Sequence, residues 1–447
     1  MVDTDVIVAD IECLTVFRAV KKNPVIRSLG TLLRLLQGPD PDAGKVQKAW
    51  ACFMSALIAQ GLNYSLYSTV AYLTLGDENP FTLAAEFQGA SDLNPVLVAA
   101  AANDLARLGR IASLDPGALA ITAAKMVAAN SRKAMEAEGR AFKACVTEAS
   151  VTEKIINTVF PPGSPWDADM PGFCEYLFRS GAGEMGFHLF FCWVPSCGLK
   201  PVLNPDTVSL ADLTGYEDQR SVVVSNTLRF LDGKSANNLL LYGDRGTGKS
   251  ATVKAVCREY SGRGLRLLEV RKENLKDLPV ILERLGRRKL KFIIFIDDLS
   301  FDAVNESFME LKALLEGGVE TRPSNTVVYA TSNRRHLVKE RRQDRGELGR
   351  FSEGGEVREF DAMQEQLSLA DRFGVTVIYS SPGQDDYLKI AEYIACLRLL
   401  LENAGEEERR VFRENAMRWE RWFNGRSPRT AVQYVDWVEG GGGFPWE

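Results

Sequence analysis

The sequence predicts an α/β fold: a parallel sheet flanked by helices, preceded by an N-terminal half that is mainly helical. Three observations predict it. Five apolar runs of strand length follow residue 238, helix-like stretches separate them, and the first 165 residues instead carry apolar side chains at three-and-four spacing. Strands that are apolar on both faces need cover on both, which a helix between successive strands supplies.

Each element can be justified in chain order. At 447 residues the chain exceeds what one core covers, so several domains are expected. Residues 1–165 form a mainly helical domain that carries no chemical motif, with "KVQKAWACFMSALIAQGL" as a clear amphipathic stretch. "PPGSPWDADMPG" breaks the pattern, and 166–205 is expected to be a linker with one short strand, "GFHLFFCWV". Residues 206–383 then supply the strands "NLLLYG", "LRLLEV", "KFIIFIDD", "NTVVYATSN" and "VTVIYSS". Helical periodicity resumes over 384–438, and the glycine-rich 439–447 is expected to be a flexible tail.

Composition excludes several function classes. A net charge of -5 argues against wholesale coating of nucleic acid, though a local basic patch stays open. The eight cysteines are scattered, and Cys192 and Cys197 lack a second pair or a histidine at zinc-ligand spacing, so reduced thiols are expected. With only His188 and His336, histidine-based metal catalysis is disfavoured. Asp3, Asp5, Asp10 and Glu12 do not fit an export signal. The alanine-rich run after Asn94 meets Asp104, Arg107 and Arg110 before the roughly 20 apolar residues of a membrane span accumulate. A cytoplasmic location without membrane association is expected.

The chemistry lies in "LLLYGDRGTGKSA". Gly243, Asp244, Arg245, Gly246, Thr247, Gly248, Lys249 and Ser250 fit G-x-x-x-x-G-K-[ST] between a strand and a helix that continues through Ala251. Backbone N–H groups curl around a β-phosphate without Cβ interference, lysine adds a charge at the outer phosphates, and the Ser250 hydroxyl is placed to ligate Mg²⁺. The expected ligands are ATP and Mg²⁺. In "KFIIFIDDLS" a buried strand ends in two carboxylates, which are costly without a cation or water. Asp297 is placed to hold Mg²⁺ through its water, and Asp298 to orient or activate the attacking water.

With "NTVVYATSNRRHLVKE" the pattern resembles the AAA+ ATPase superfamily, and that resemblance implies further roles. Asn333 matches the sensor on the strand beside the Asp297 strand. Arg372, in "LSLADRFG", matches the arginine finger that reaches a neighbouring subunit's nucleotide. Arg429, in "GRSPRTAVQYV", matches the second sensor at the start of a lid helix, with Arg426 as its rival, and Gly215 and Tyr216 fall where the adenine-side linker lies. Over residues 200–440 the chain is similar to a bacterial AAA+ family described only as an ATPase of unknown function. The resemblance also implies a C-terminal helical lid and, with Arg372 acting in trans, a homo-oligomer, most simply a hexamer. It hardly touches the N-terminal half, for which a protein partner is expected.

Two departures qualify it. Asp298 stands where many such motors have glutamate, a form shared by initiators and helicase loaders and compatible with slow hydrolysis. The stretch "RKENLKDLPVILERL" lacks the aromatic-apolar-glycine loop of threading unfoldases. Two basic clusters, Arg334, Arg335, Lys339, Arg341 and Arg342 and then Arg287, Arg288, Lys289 and Lys291, could meet nucleic-acid phosphates but lack interleaved aromatics. The expected function is ATP hydrolysis at subunit interfaces to remodel a protein partner. The alternatives are a DNA-associated loader or initiator-like switch, and a nucleotide-gated scaffold with little turnover.

Overall fold

The computed structural model describes residues 4–39, 41–144, 150–299, 311, 314–315, 322–333, 372–402, 404–423 and 425–444. The chain divides into two compact units, Met1–Phe187 and His188–Glu447.

The first unit is helical, and its helix starts are written in the sequence. Asn23, Asn79, Asn94 and Asp115 each cap a helix whose first residue is proline, the position where a missing N–H costs nothing. The charges that interrupt the alanine-rich helix Pro95–Ala112 are struts. Buried Asp104 accepts the backbone N–H groups of Thr15, Val16 and Phe17 at 2.8, 2.7 and 3.1 Å, while Arg110 holds Asp10 with two bonds of 2.8 and 2.7 Å. A buried carboxylate is tolerable when its oxygens are filled in this way.

The expected linker over 166–205 is divided between the two units. Trp166, Phe173, Cys174 and Leu177 are buried in the helical core, with Trp166 stacked on Phe160 at 4.3 Å, so the proline-rich break is a turn inside that unit. Beyond Phe187 the chain becomes a hairpin, β1 (Phe190–Val194) and β2 (Gly198–Pro201), which joins the sheet of the second unit. The aromatic content of "PWDADMPGF" is what a proline-and-glycine reading overlooks.

The second unit is built on a seven-stranded sheet in the order β2-β1-β4-β5-β6-β3-β7. Its remaining strands are β3 (Leu239–Gly243), β4 (Leu265–Glu269), β5 (Lys291–Ile296), β6 (Thr326–Ser332) and β7 (Val375–Tyr379). Only the β1–β2 pair is antiparallel. Every residue of β3 and β6 is buried, which accounts for their continuous apolar runs. Strand β3 lies between β6 and β7, both later in the chain, so the strand order reverses there. A crevice opens at such a reversal, outside the carboxyl ends of the strands.

Helices Gln384–Leu397, Glu406–Trp422 and Pro428–Glu439 pack around Tyr387, Phe412, Trp419 and Tyr434 to form a smaller helical body. The described part of the expected tail, up to Phe444, folds back on this body. Gly441 and Gly442 N–H groups bond back to Val438 and Trp437 carbonyls, the Trp437 indole N–H donates to Gly443 O at 3.2 Å, and Phe444 meets the Tyr434 ring at 6.2 Å. Glycine is needed at 442 because a Cβ there would stand 2.4 Å from the Trp437 ring. A run of glycines reads as flexibility by composition, whereas here it lets the backbone cross an indole face.

Gly442→Ala is expected to release this segment, raising hydrogen exchange over 434–444 and lowering stability by about 1 kcal/mol. Gly443→Ala, where a Cβ meets open space, is expected to leave both unchanged.

Candidate nucleotide-binding site

The loop after β3 starts from a close backbone approach. Gly243 has φ 140° and a Cβ there would lie 2.0 Å from the Tyr379 carbonyl oxygen, so only glycine lets the loop leave the sheet alongside β7. The next residue uses that proximity: Asp244 N–H donates to Tyr379 O at 3.0 Å, and its carboxylate accepts Ser381 N–H at 2.9 Å and Ser381 Oγ–H at 2.6 Å. Thr247 Oγ donates to Asp244 O at 2.8 Å. Lys249, at the start of helix Lys249–Glu259, is 5% exposed and donates to Gly243 O at 2.9 Å and Asp244 O at 2.6 Å. Burial pushes the Lys249 ammonium down to about 8, opposed by the charges of Asp244, Asp297 and Asp298.

The carboxyl ends of β5 and β6 complete the floor. Asp297 Oδ1 accepts Ser250 Oγ–H and Thr331 Oγ–H, both at 2.6 Å. Asp298, in a left-handed conformation with φ 52°, donates its N–H to Thr331 Oγ at 2.9 Å and accepts from Asn333 Nδ2 at 2.7 Å. One buried hydroxyl, that of Thr331, therefore holds the Asp297 carboxylate and the Asp298 backbone together. Ser250 and Asp297 present hard oxygen donors side by side, the set that Mg²⁺ takes when phosphates and waters fill its other positions.

Two cavities meet on the loop. The smaller, of about 360 Å³, is lined by Arg245, Gly246, Lys249, Ser250, Asp297, Asp298, Asn333 and Arg429. The larger, of about 650 Å³, runs from Gly246, Thr247 and Gly248 past Ala251 to an apolar wall of Leu213, Tyr216, Ile390, Ile394, Leu397 and Val432. A triphosphate with an apolar-faced base fits this division of polar and apolar lining. Arg429 reaches both cavities and its backbone N–H donates to Gly246 O at 3.2 Å, while Arg426 pairs with Glu420 at 3.2 Å and lines neither. Gly215 and Tyr216 both have positive φ, and the Tyr216 hydroxyl donates to Ser380 O at 2.7 Å.

Arg372 stands elsewhere. It precedes β7, whose register with β3 runs from Leu239↔Val375 to Gly243↔Tyr379, so it lies at the opposite edge of the sheet from the loop and lines neither cavity of its own chain. The basic cluster before β5 is largely engaged within the chain: Arg287 bonds Glu283 at 2.5 Å, Arg288 is 9% exposed, and the Lys291 ammonium sits 5.1 Å from the Phe230 ring centroid. The cluster from Arg334 to Arg342 lies outside the described residues.

Sequence reasoning overlooked Thr331, Ser381 and the wall formed by Ile390, Ile394 and Val432. Thr331 carried a signal, since it stands two residues before Asn333 and residues i and i+2 of a strand share a face. Ser381 carried none, being 137 residues from the carboxylate it holds.

The parallel order β7-β3-β6-β5-β4, the phosphate loop after the central strand and the acids that follow β5 define a P-loop fold of the AAA+ type. Residues 188–442 match the family described as "Protein of unknown function (DUF815)", and the chain belongs to that family. A 95-residue stretch is 38% identical to the ORC1-type DNA replication protein 14 of Haloarcula marismortui, covering 20% of this chain and 22% of that protein. The RuvB Holliday junction branch migration motor of Thermotoga maritima overlaps with TM-score 0.35 and 17% identity, over 52% of this chain and 64% of that one. A mutant of the same motor gives TM-score 0.35 and 16% identity at the same coverage. The chain thus spans about a fifth of the curated relative's length and less than two thirds of the solved chain's.

Thr331→Val keeps the side-chain volume but strands the Asp298 N–H and leaves Asp297 with one hydroxyl. A loss of about 1–2 kcal/mol in urea denaturation is expected. Thr331→Ser is expected to recover most of it.

Proposed function

We propose that this chain is an ATPase that hydrolyses ATP at the interfaces of a ring, most simply a hexamer, and uses the resulting motion to remodel a protein partner recruited by its N-terminal helical unit. The observation that carries this reading is the separation within one chain of the phosphate loop, Asp298 and Asn333 from Arg372, at the other edge of the same sheet. A neighbour's Arg372 would complete each site.

The division of labour follows from the contacts. Lys249 leaves the Gly243 and Asp244 carbonyls for the outer phosphates of the nucleotide. Mg²⁺, held through Ser250 and Asp297, would supply charge neutralisation at the outer phosphates. Asp298, oriented by Asn333, accepts the hydrogen bond of the attacking water, and Arg372 in trans neutralises charge in the transition state, an effect worth about 10³ to 10⁵ in rate where such a finger operates. Arg429, on a helix of the lid and bonded to the loop at Gly246, turns the presence of the terminal phosphate into a change of lid angle.

One observation supports a second reading, a DNA-associated loader or initiator-like switch: the 38% identity to an ORC1-type DNA replication protein. Duplex DNA binding that falls with salt and strengthens with ATP would favour it.

Steady-state hydrolysis measured against protein concentration separates these readings. Activity per subunit is expected to rise with assembly, and to fall at least about 100-fold in Lys249→Ala, Asp298→Asn and Arg372→Ala. Constant activity per subunit on dilution, or an unaffected Arg372→Ala, would rule out the shared site.

A further inference from the structure

The phosphate loop carries an arginine whose position none of the roles above explains. Arg245 lines the smaller cavity together with Lys249 and Arg429 and with Asp297, Asp298 and Asn333, and does not line the larger one. Its side chain is exposed, and among the described residues it has no carboxylate or hydrogen-bond partner. The acids that line the cavity are already engaged, Asp297 by Ser250 and Thr331 and Asp298 by Asn333. Three cations therefore face one chamber in which only two carboxylates oppose them. That surplus is relieved by an anion entering it.

The backbone that presents Arg245 is held on both sides. Asp244 before it is fastened to Tyr379 O and to both the N–H and hydroxyl of Ser381, on the segment leading into the lid. Gly246 after it accepts the backbone N–H of Arg429, at the start of the last lid helix. A backbone pinned at both flanks fixes where the Arg245 side chain starts, so that only the side chain itself is left to be ordered on binding.

We propose that Arg245 is a substrate-contacting residue that binds the terminal phosphate of a nucleoside triphosphate within its own subunit. This rests on the nucleotide-binding reading of the site and deepens it: Arg245 makes the loop itself distinguish triphosphate from diphosphate, before any neighbour's arginine arrives. It lines only the smaller cavity, the one that holds Asp298 and Asn333, whereas the larger cavity with its apolar wall would take the base and the inner phosphates.

The test is equilibrium binding of a non-hydrolysable ATP analogue and of ADP, each with Mg²⁺, at concentrations low enough to keep the chain unassembled. Wild type, Arg245→Ala and Arg245→Lys are compared. Arg245→Ala is expected to weaken the ATP analogue by about tenfold or more while ADP affinity stays within about twofold, as expected for loss of a charge-assisted bond to one phosphate. Arg245→Lys is expected to recover part of the difference, because it keeps the charge and loses the fork. Equal weakening of both nucleotides, or of neither, with wild-type binding intact, would overturn the role of Arg245 alone. Failure of the wild type to bind either nucleotide would overturn the reading of the site itself, and this proposal with it.

Discussion

The site depends on a single backbone contact, the approach of Gly243 to the carbonyl of Tyr379. It ties the first residue of the phosphate loop to the edge strand β7, and through Asp244 to Ser381, where the chain turns toward the lid. Parallel pairing does the rest. Since β3 lies between β6 and β7, and β5 beside β6, the loop, Asp297, Asp298 and Asn333 all emerge at one edge of the sheet without any long-range side-chain contact being needed to bring them together.

The hydrogen bonds of the floor show a resting arrangement that satisfies itself. Lys249 bonds the carbonyls of its own loop, Ser250 bonds Asp297, and Asn333 bonds Asp298. Each of these groups is one that a magnesium nucleotide would engage. Of the charged groups only Lys249 is buried, and its two carbonyl partners spare it the cost of an unpaired buried charge; phosphate would have to displace them. Thr331 belongs to a different category: its hydroxyl joins the Asp297 carboxylate to the Asp298 backbone N–H, and nothing in its position calls for it to move.

Much of this was legible in the sequence, and the reasons are local. The phosphate loop is a contiguous pattern flanked by a strand and a helix, and an apolar strand ending in Asp297 and Asp298 advertises a partner through the cost of its charges. What was not legible depended on pairs distant in sequence. Ser381 acquires its role only from the β3–β7 register, and the apolar wall of Ile390, Ile394 and Val432 only from the way the lid folds back. Composition misled at two places for the same reason. Proline and glycine mark where a chain turns, not whether the turn is packed, and both the Trp166 segment and the Gly440–Phe444 segment are turns fastened by aromatic rings.

The lid and the loop are coupled before any nucleotide enters. The loop is held at Asp244 by the segment that begins the lid and at Gly246 by the helix that ends it, and Arg245 sits between these two anchors. On the proposed function, a rotation of the lid would strain the loop at both points, and a ligand that fixes the loop would restrain the lid. Coupling of this kind is reciprocal by thermodynamic necessity: whatever restrains the lid, whether a neighbouring subunit or a partner, changes nucleotide affinity by the same factor by which nucleotide changes the lid. Because the anchors are short hydrogen bonds to backbone and a carboxylate rather than long flexible side chains, the transmission needs no intermediary residues.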